Sequence, residues 1–187
     1  MIAPAPFASP ELFARFFSGK GPWHTDRNEW LLHQGTPVGN IYVVESGLAM
    51  EFSVIASVLQ PMCFCPPGTL TGIRWSTSAR PHYEHSTVAL QPLVVRPMEA
   101  QDFVNAQRDD GDFRAALMAE LLRRLECSRT IADSSSIQSP LSLNTRRAPL
   151  RGILHGTPDI RRELPSIVPL ITRLVAKGLI PTIAAEL

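Results

Sequence analysis

The sequence lacks the features that identify several common protein classes. Its 187 residues contain no run of about 18 apolar residues, so no transmembrane helix is predicted. The three cysteines, Cys63, Cys65 and Cys127, are an odd number, which argues against a disulfide framework. The first ten residues, MIAPAPFASP, have neither a basic start nor a long apolar core. We therefore expect a cytoplasmic protein with reduced thiols and no membrane partner.

Signatures of enzymes and metal sites are missing as well. The sequence has no nucleophile elbow, no phosphate-binding Walker loop and no HExxH motif. Cys63 and Cys65 supply only two ligands where a structural zinc site usually needs four, so buried thiols are the simpler interpretation. Four histidines could in principle bind a haem iron: His24, His33, His82 and His85. A lone histidine is more often a structural residue, so we predict no cofactor and no metal. Because the catalytic motifs are missing, we also predict that the protein is not an enzyme.

The residues that are abundant point to a globular, β-rich chain. Hydrophobic residues make up 44% of the sequence, and 17 prolines with 11 glycines imply many turns and short elements. The net charge is only +1, but it is unevenly distributed. Residues 141–187 carry seven bases and three acids, whereas the rest carries 11 bases and 14 acids. A basic tail on an acidic body indicates a sensor joined to a nucleic-acid-binding module.

The first half of the chain has the pattern of a β-meander. Residues 10–18 predict a short helix that stops at Gly19. The segments that follow are rich in β-branched and aromatic residues and are separated by glycine-containing turns. We predict strands over 30–34, 41–45 and 48–59, and two more within 87–98, separated at Pro92.

The second half turns helical, with a short helix over 100–106 and a long one over 112–132. Asp112 is the expected N-cap of the long helix. Its apolar stripe consists of Phe113, Leu117, Leu121, Leu125 and Ile131, widened by Ala116, Leu122 and Cys127. The side chains expected to face away from that stripe are Arg114, Glu120, Arg123 and Arg124. The length of the stripe favours pairing of two such helices in a homodimer, and packing within one chain is the alternative.

A polar segment over 134–140 is the best candidate for a hinge. Beyond it the pattern predicts three helices, over 143–154, 158–164 and 166–177. The predicted organisation is a barrel sensor domain (1–111), a dimerisation helix (112–133), the hinge (134–140) and a shortened helical domain (141–187).

In their order, these elements resemble the Crp/Fnr family of transcription regulators. The resemblance is carried by HQGTPVGNIYVVESGLAMEF in the first barrel half, PPGTLTG and EHSTVAL around a pocket, the helices over 103–126, and RLVAKGLI near the C-terminus. It implies an α+β fold: a cyclic-nucleotide-binding-type β-barrel (a double-stranded β-helix or jelly roll), a long dimerisation helix and a small winged-helix-like domain. It also implies a homodimer that binds DNA.

The family pocket holds a cyclic nucleotide through a glycine and an acid on one side and an arginine and a small hydroxyl on the other. By position, Gly72 and Ser86 keep the glycine and the hydroxyl, whereas Ile73 replaces the acid and His85 replaces the arginine. Without the arginine, a buried phosphate lacks its fixed cation, and histidine compensates only when it is protonated. Ordinary cyclic AMP binding is therefore not expected.

What the altered pocket binds is left open by the residues alone. Arg74 and Arg80 of the intervening loop could serve a phosphate or carboxylate ligand. A pocket filled by the protein's own side chains is the other alternative. An iron–sulfur sensor would need four cysteines, and no lysine or arginine adjoins Cys63 or Cys65 in sequence to favour thiol sensing.

The tail departs from the family in its DNA-reading residues. Alignment on Gly178 places Leu164, Pro165 and Pro169 at the base-reading positions, where none can hydrogen-bond a base edge. Pro169 is expected to kink or restart the helix, and the seven residues after Ile180 leave no room for the usual hairpin. The candidates for phosphate contacts are Arg146, Arg147, Arg161, Arg162, Arg173 and Lys177. Their alternative role is a solvated basic face.

Two functions follow from these patterns. The first is a Crp/Fnr-like, DNA-binding transcription regulator, responding to an unidentified effector or to none. The alternative is a dimeric scaffold or protein-interaction module that retains the barrel and the long helix but does not bind DNA.

Overall fold

The structure is a computed structural model that describes residues 13, 15–17, 19–55, 58–73, 82–135 and 160–180. The strands are β1 (Trp23–Thr25), β2 (Trp30–Leu32), β3 (Asn40–Ser46), β4 (Ala49–Ile55), β5 (Val58–Cys65), β6 (Leu70–Thr71), β7 (Ser86–Ala89) and β8 (Leu93–Glu99). The helices that follow them are α1 (Ala100–Asp109), α2 (Gly111–Ser135) and α3 (Ile160–Ala176). In these ranges, no helix is both long enough and apolar enough to cross a membrane.

The strands form two four-stranded antiparallel sheets. One sheet has the order β1-β8-β3-β6 and the other has the order β2-β7-β4-β5. The chain crosses repeatedly from one sheet to the other, which is the connectivity of a double-stranded β-helix. The prediction of a cyclic-nucleotide-binding-type barrel followed by helices is confirmed.

The predicted strand over 48–59 is in fact a hairpin. Strand β4 ends at Ile55 and β5 begins at Val58, and these two residues pair across the hairpin. The intervening Ala56 and Ser57 are neither glycine nor proline, so nothing in the sequence marks a turn there. The break between β7 and β8 lies at Pro92, as predicted.

Apolar side chains alternate between the inside and the outside of the barrel. Tyr42 and Val44 of β3 pack between the sheets, whereas Ile41 and Val43 pack on the outer face. That outer face is covered by the first part of α2, together with Phe13, Phe17 and Phe103. The outer face of the other sheet is covered by the second part of α2 and by α3. Each sheet thus has an apolar cluster on its outer face that includes residues of the helices.

Helix α2 is capped by a different residue from the one predicted. The Asp110 carboxylate accepts a hydrogen bond from the Phe113 amide (2.8 Å), which is the N-cap contact expected of Asp112. Asp112 instead lies in the first turn and pairs with Arg15 (3.0 Å). The prediction of Asp112 as N-cap is wrong, because several aspartates surround Gly111 and the sequence alone does not rank them.

Helix α3 merges two predicted helices into one. It runs without interruption through Pro165 and Pro169, so the expected restart at Pro169 does not occur. Its buried face stabilises the helix despite the missing amide donors, since tertiary packing supplies most helix stability in proteins. The helix predicted over 143–154 lies outside the described residues, as does the 134–140 hinge beyond Ser134 and Ser135, which end α2.

Candidate functional site

The two halves of the predicted ligand pocket meet between the sheets. Strand β6 ends at Thr71 and is followed by Gly72, while β7 begins at Ser86 in the opposite sheet. The hydroxyls of Thr71 and Thr87 are 2.8 Å apart, which joins the halves by a hydrogen bond. Pocket residues that are 16 positions apart in sequence are therefore in contact inside the barrel.

The predicted pocket residues in the described part each contact other protein groups. Ile73 is partly buried and packs on the cluster beneath α1 and α2. The Ser86 hydroxyl accepts a hydrogen bond from the Gln34 amide (2.9 Å), and His85 Nδ1 lies 2.6 Å from the Ser53 hydroxyl. The Gly72 amide donates a hydrogen bond to the Glu51 carboxylate. The other two predicted pocket residues, Arg74 and Arg80, lie outside the described residues.

A buried carboxylate that the sequence did not single out lies at the centre of this pocket. Glu51 projects from β4 and is only 3% exposed. Its Oε1 accepts hydrogen bonds from the Thr71 hydroxyl (2.7 Å) and the Gly72 amide (3.1 Å). Its Oε2 accepts from Nη1 of Arg124 on helix α2 (2.5 Å). The pocket therefore contains an anion that belongs to the chain itself.

Arg124 and its neighbours tie α2 to the barrel, and this overturns a prediction. Arg124 donates also to the Leu70 carbonyl and to Glu120 (2.9 Å), and Arg123 forms two 2.8 Å bonds to Glu120. The side chains of Glu120, Arg124 and Arg123 are 1%, 8% and 9% exposed, so the prediction that they face away is wrong. Helical periodicity assigns charges to solvent, but pairing with one another and with Glu51 allows these to be buried.

The surroundings of Arg124 stabilise its positive charge. Burial alone lowers the pKa of Arg124, but the Glu51 carboxylate, the thiols of Cys65 and Cys63 and then Glu120 more than offset it. The pKa of Arg124 consequently lies well above its ordinary value. The pocket therefore holds a guanidinium cation at neutral pH.

The three cysteines are free, buried thiols beside these arginines. Arg123 Nη2 lies 3.6 Å from Cys63 Sγ, and Arg124 Nη2 lies 3.7 Å from Cys65 Sγ. Hydrogen bonds from Cys127 and Cys65 lower the pKa of Cys63 despite burial, and the same bonds raise the pKa of its two partners. No arginine or lysine is adjacent to Cys63 or Cys65 in sequence, but the fold brings Arg123 and Arg124 of helix α2 next to them.

Helix α2 has two apolar faces in place of the single predicted stripe. Phe113 and Leu117 are 0% and 7% exposed because they pack against the chain's own aromatic residues. Four apolar side chains at helical spacing are 41–67% exposed, and we call them the exposed row: Met118, Leu121, Leu122 and Leu125. The single stripe is therefore wrong, and of the predicted dimer contacts only Leu121 and Leu125 are free to meet a partner.

Helix α3 shares a core with the barrel and α2. Ile167, Ile171 and Leu174 are 0–2% exposed and pack in one cluster with Met50 and Phe52 of β4. The same cluster contains Cys127 and Ile131 of α2. The apolar face of the helix that carries the predicted base-reading positions is therefore buried in a cluster that it shares with the barrel and α2.

The predicted DNA-contacting residues are placed only in part. Arg173 is exposed on α3, and Lys177 donates a hydrogen bond to the Thr130 hydroxyl of α2 (3.2 Å). Arg161 and Arg162 lie in the first turn of α3. The remaining two, Arg146 and Arg147, lie outside the described residues.

The histidines considered as haem ligands do not converge. His24 and His33 are exposed, and the His33 ring stacks on Trp30 at 5.2 Å. His82 forms an isolated bridge with Pro37, while His85 bonds to Ser53. Within the ranges that the structure covers, no three histidine, cysteine, aspartate or glutamate side chains are grouped so as to hold a metal ion.

Solved structures with the same architecture are Crp/Fnr regulators and their sensor domains. The haem domain of CooA from Rhodospirillum rubrum matches with a TM-score of 0.55 and 18% identity, over 71% of this chain and 99% of that one. The catabolite activator protein of Thermus thermophilus matches with a TM-score of 0.52 and 22% identity, over 68% of this chain. The match spans only 60% of the Thermus protein. A mutant of CooA from Carboxydothermus hydrogenoformans gives a TM-score of 0.53 at 12% identity, over 83% of this chain and 88% of that one.

These similarities establish the fold. No protein-family model matches the sequence, and no curated protein matches it significantly. The chain has the Crp/Fnr-like fold, in which a cyclic-nucleotide-binding-type barrel is followed by a long helix. In this chain the pocket contains the buried Glu51–Arg124 ion pair.

Proposed function

We propose that this chain is a Crp/Fnr-like transcription regulator that pairs through α2 and binds DNA through its basic tail. The observation that carries the proposal is the exposed row of α2, on a helix that Arg124 ties to the pocket. The helix thus joins a sensor-type pocket to a surface suited to a partner. We further propose that the protein has no catalytic activity, works in the cytoplasm and does not use cyclic AMP.

Pairing through α2 is supported by the cost of leaving the exposed row in water. Leu122 and Leu125 are 60% and 67% exposed, and Met118 beside them is 59% exposed. Burial of apolar surface contributes about 25 cal/mol for each Å², so pairing two such rows is favourable. The same helix from a second copy presents a row of the same shape, as in a two-fold symmetric dimer.

DNA binding is tested with fragments of genomic DNA over a range of salt concentrations. A regulator is expected to prefer some fragments over others, and its affinity should fall steeply as salt increases. Replacing both Arg146 and Arg147 by alanine should reduce the salt slope by about 2 if both contact phosphates. The control is Arg27→Ala, because Arg27 is an exposed base of the barrel. Binding without any preference among fragments would contradict the regulator proposal.

One observation favours a second candidate, the dimeric scaffold. The apolar face of α3 is buried in a cluster shared with the barrel and α2, and the base-reading positions on that helix are leucine and proline. A scaffold would keep the α2 dimer and show no DNA binding even at low salt. The two functions therefore separate in the same DNA experiment.

A further inference from the structure

The donors that surround Glu51 have the composition of an anion-binding site. A backbone amide (Gly72), a hydroxyl (Thr71) and a guanidinium (Arg124) converge on one carboxylate that is 3% exposed. Such donors bind phosphate or carboxylate groups well, because each presents a positive hydrogen to the same small volume. In this chain the volume is already taken by a side chain of β4.

Among the residues that the structure describes, the buried charges at the pocket balance one another. Two buried acids, Glu51 and Glu120, face two buried bases, Arg123 and Arg124, in one connected set of ion pairs. An added anion would place one more negative charge among these paired, buried side chains, which is unfavourable. If the Glu51 side chain turned away to make room for the anion, its own charge would remain buried in the barrel without Arg124 as a partner.

The same carboxylate also joins two parts of the fold. Glu51 belongs to β4 of the barrel, whereas Arg124 belongs to α2, 73 positions later in the chain. Arg124 contacts the carbonyl of Leu70, which begins β6 next to the pocket glycine. These contacts therefore tie α2 to β4 and β6, and Glu51 takes the place that an anionic ligand would have between them.

We propose that Glu51 is the permanent, intramolecular ligand of this pocket, so that the position of α2 is set without a diffusible effector. The inference goes beyond the proposed function, since it rests on the pocket alone and holds for a regulator and for a scaffold. The ligand class of the site is a carboxylate. Removing the Glu51 side chain creates a site for a free carboxylate of similar size, such as formate or acetate.

The experiment compares the thermal unfolding of the full chain and of Glu51→Ala in the presence of sodium formate, sodium acetate or sodium chloride at equal ionic strength. The melting temperature of Glu51→Ala should fall by about 10 °C, because Arg124 loses its main partner. Formate or acetate should restore part of this loss in a saturable manner, and chloride should not. The unchanged chain should show no saturable response to formate, acetate or cyclic AMP.

A matched control is Glu45→Ala. Glu45 is a partly exposed glutamate that pairs with Arg96, and both residues lie in the sheet that does not contain Glu51. The melting temperature of this variant should not respond to formate. Saturable stabilisation of the unchanged chain by cyclic AMP or a small carboxylate would overturn the proposal, and this measurement does not depend on any variant folding. A Glu51→Ala protein that melts like the unchanged chain would overturn it as well. Neither result bears on DNA binding, which is measured separately.

Discussion

Gly72 meets two constraints that exclude a side chain. Its φ is +80°, a left-handed conformation that residues with a Cβ rarely adopt. A Cβ at this position would lie 2.9 Å from Leu32 Cδ1 and 3.2 Å from Tyr83 Cε1. The turn that directs the Gly72 amide to Glu51 therefore needs glycine for two reasons: the positive φ angle and the lack of room for a Cβ atom.

Gly72→Ala should lower the free energy of unfolding by at least about 2 kcal/mol, from backbone strain and crowding together. Gly39→Ala is the matched control, since no atom lies within 4 Å of a Cβ there. Gly39 also lacks a positive φ, so its replacement should change stability little. Urea denaturation of both variants measures the difference. Equal effects at the two positions would contradict the packing described for Gly72.

Arg124→Met should cost about 3–5 kcal/mol, because it strands the buried Glu51 carboxylate. Arg129→Met, an exposed arginine on the same helix, should change stability by less than about 0.5 kcal/mol. Adding Glu51→Gln to Arg124→Met should recover part of the loss, since the stranded charge is then removed. A double-mutant cycle by chemical denaturation measures this coupling. Strict additivity would show that the two side chains do not act as a pair.

The sequence predicts the positions of the pocket but not its contents. Gly72 and Ser86 are identifiable because they keep the residue types of a known motif, and the structure puts them in the two facing halves of the pocket. Glu51 sits in a strand pattern where a lone acid usually faces solvent, and its partner is 73 positions away. Short-range patterns contain no signal for such a pair.

Helix α2 serves two neighbours along its length. In its first turns, Phe113 packs in one cluster with Phe13 and Phe103. In the middle of the helix, Arg124 points towards the pocket, whereas Leu121 and Leu125 are exposed. The sequence predicts the helix itself to within three residues at either end. The sequence does not predict which face of α2 is buried. Paired charges occupy part of the buried face, and apolar residues lie on the exposed face in their place.

Replacing both Leu121 and Leu125 by glutamate should dissociate the expected dimer. Four buried carboxylates facing one another across the two-fold axis repel, so the dissociation constant should rise at least about 100-fold, or about 2.7 kcal/mol. Light scattering after size exclusion reports the mass. Val168→Glu is the control, because Val168 is an apolar residue of α3 with 43% exposure. An unchanged mass in the double variant would show that the exposed row is not the dimer contact.

The barrel and α3 share one hydrophobic core, so we expect them to unfold together. Leu174 of α3 is fully buried in the cluster that contains Phe52 and Phe64 of the barrel. Trp30 packs on the same cluster and so reports on it by fluorescence. The order of elements predicts the barrel, but the resemblance to the family places α3 in a separate domain. The cluster that α3 shares with the barrel depends on long-range contacts, for which the sequence has no local pattern.

Leu174→Ala should lower the stability of the barrel by about 2–5 kcal/mol, as expected for a cavity in a shared core. The fluorescence of Trp30 during urea unfolding provides the readout, with the other two tryptophans replaced by phenylalanine. Val168→Ala on the exposed face of α3 should have little effect. A Trp30 transition that is insensitive to Leu174→Ala would mean that α3 folds independently of the barrel.

The placement of Glu51 has a consequence for competition. A diffusible anion leaves its site when its concentration falls, whereas a carboxylate fixed on β4 is never diluted. A free anion would compete with a group that belongs to the same molecule and is already held in place by the fold, so only a much more tightly binding anion could displace it. With the pocket occupied by Glu51 as proposed, the output of this molecule would follow the number of copies present rather than the supply of a small molecule.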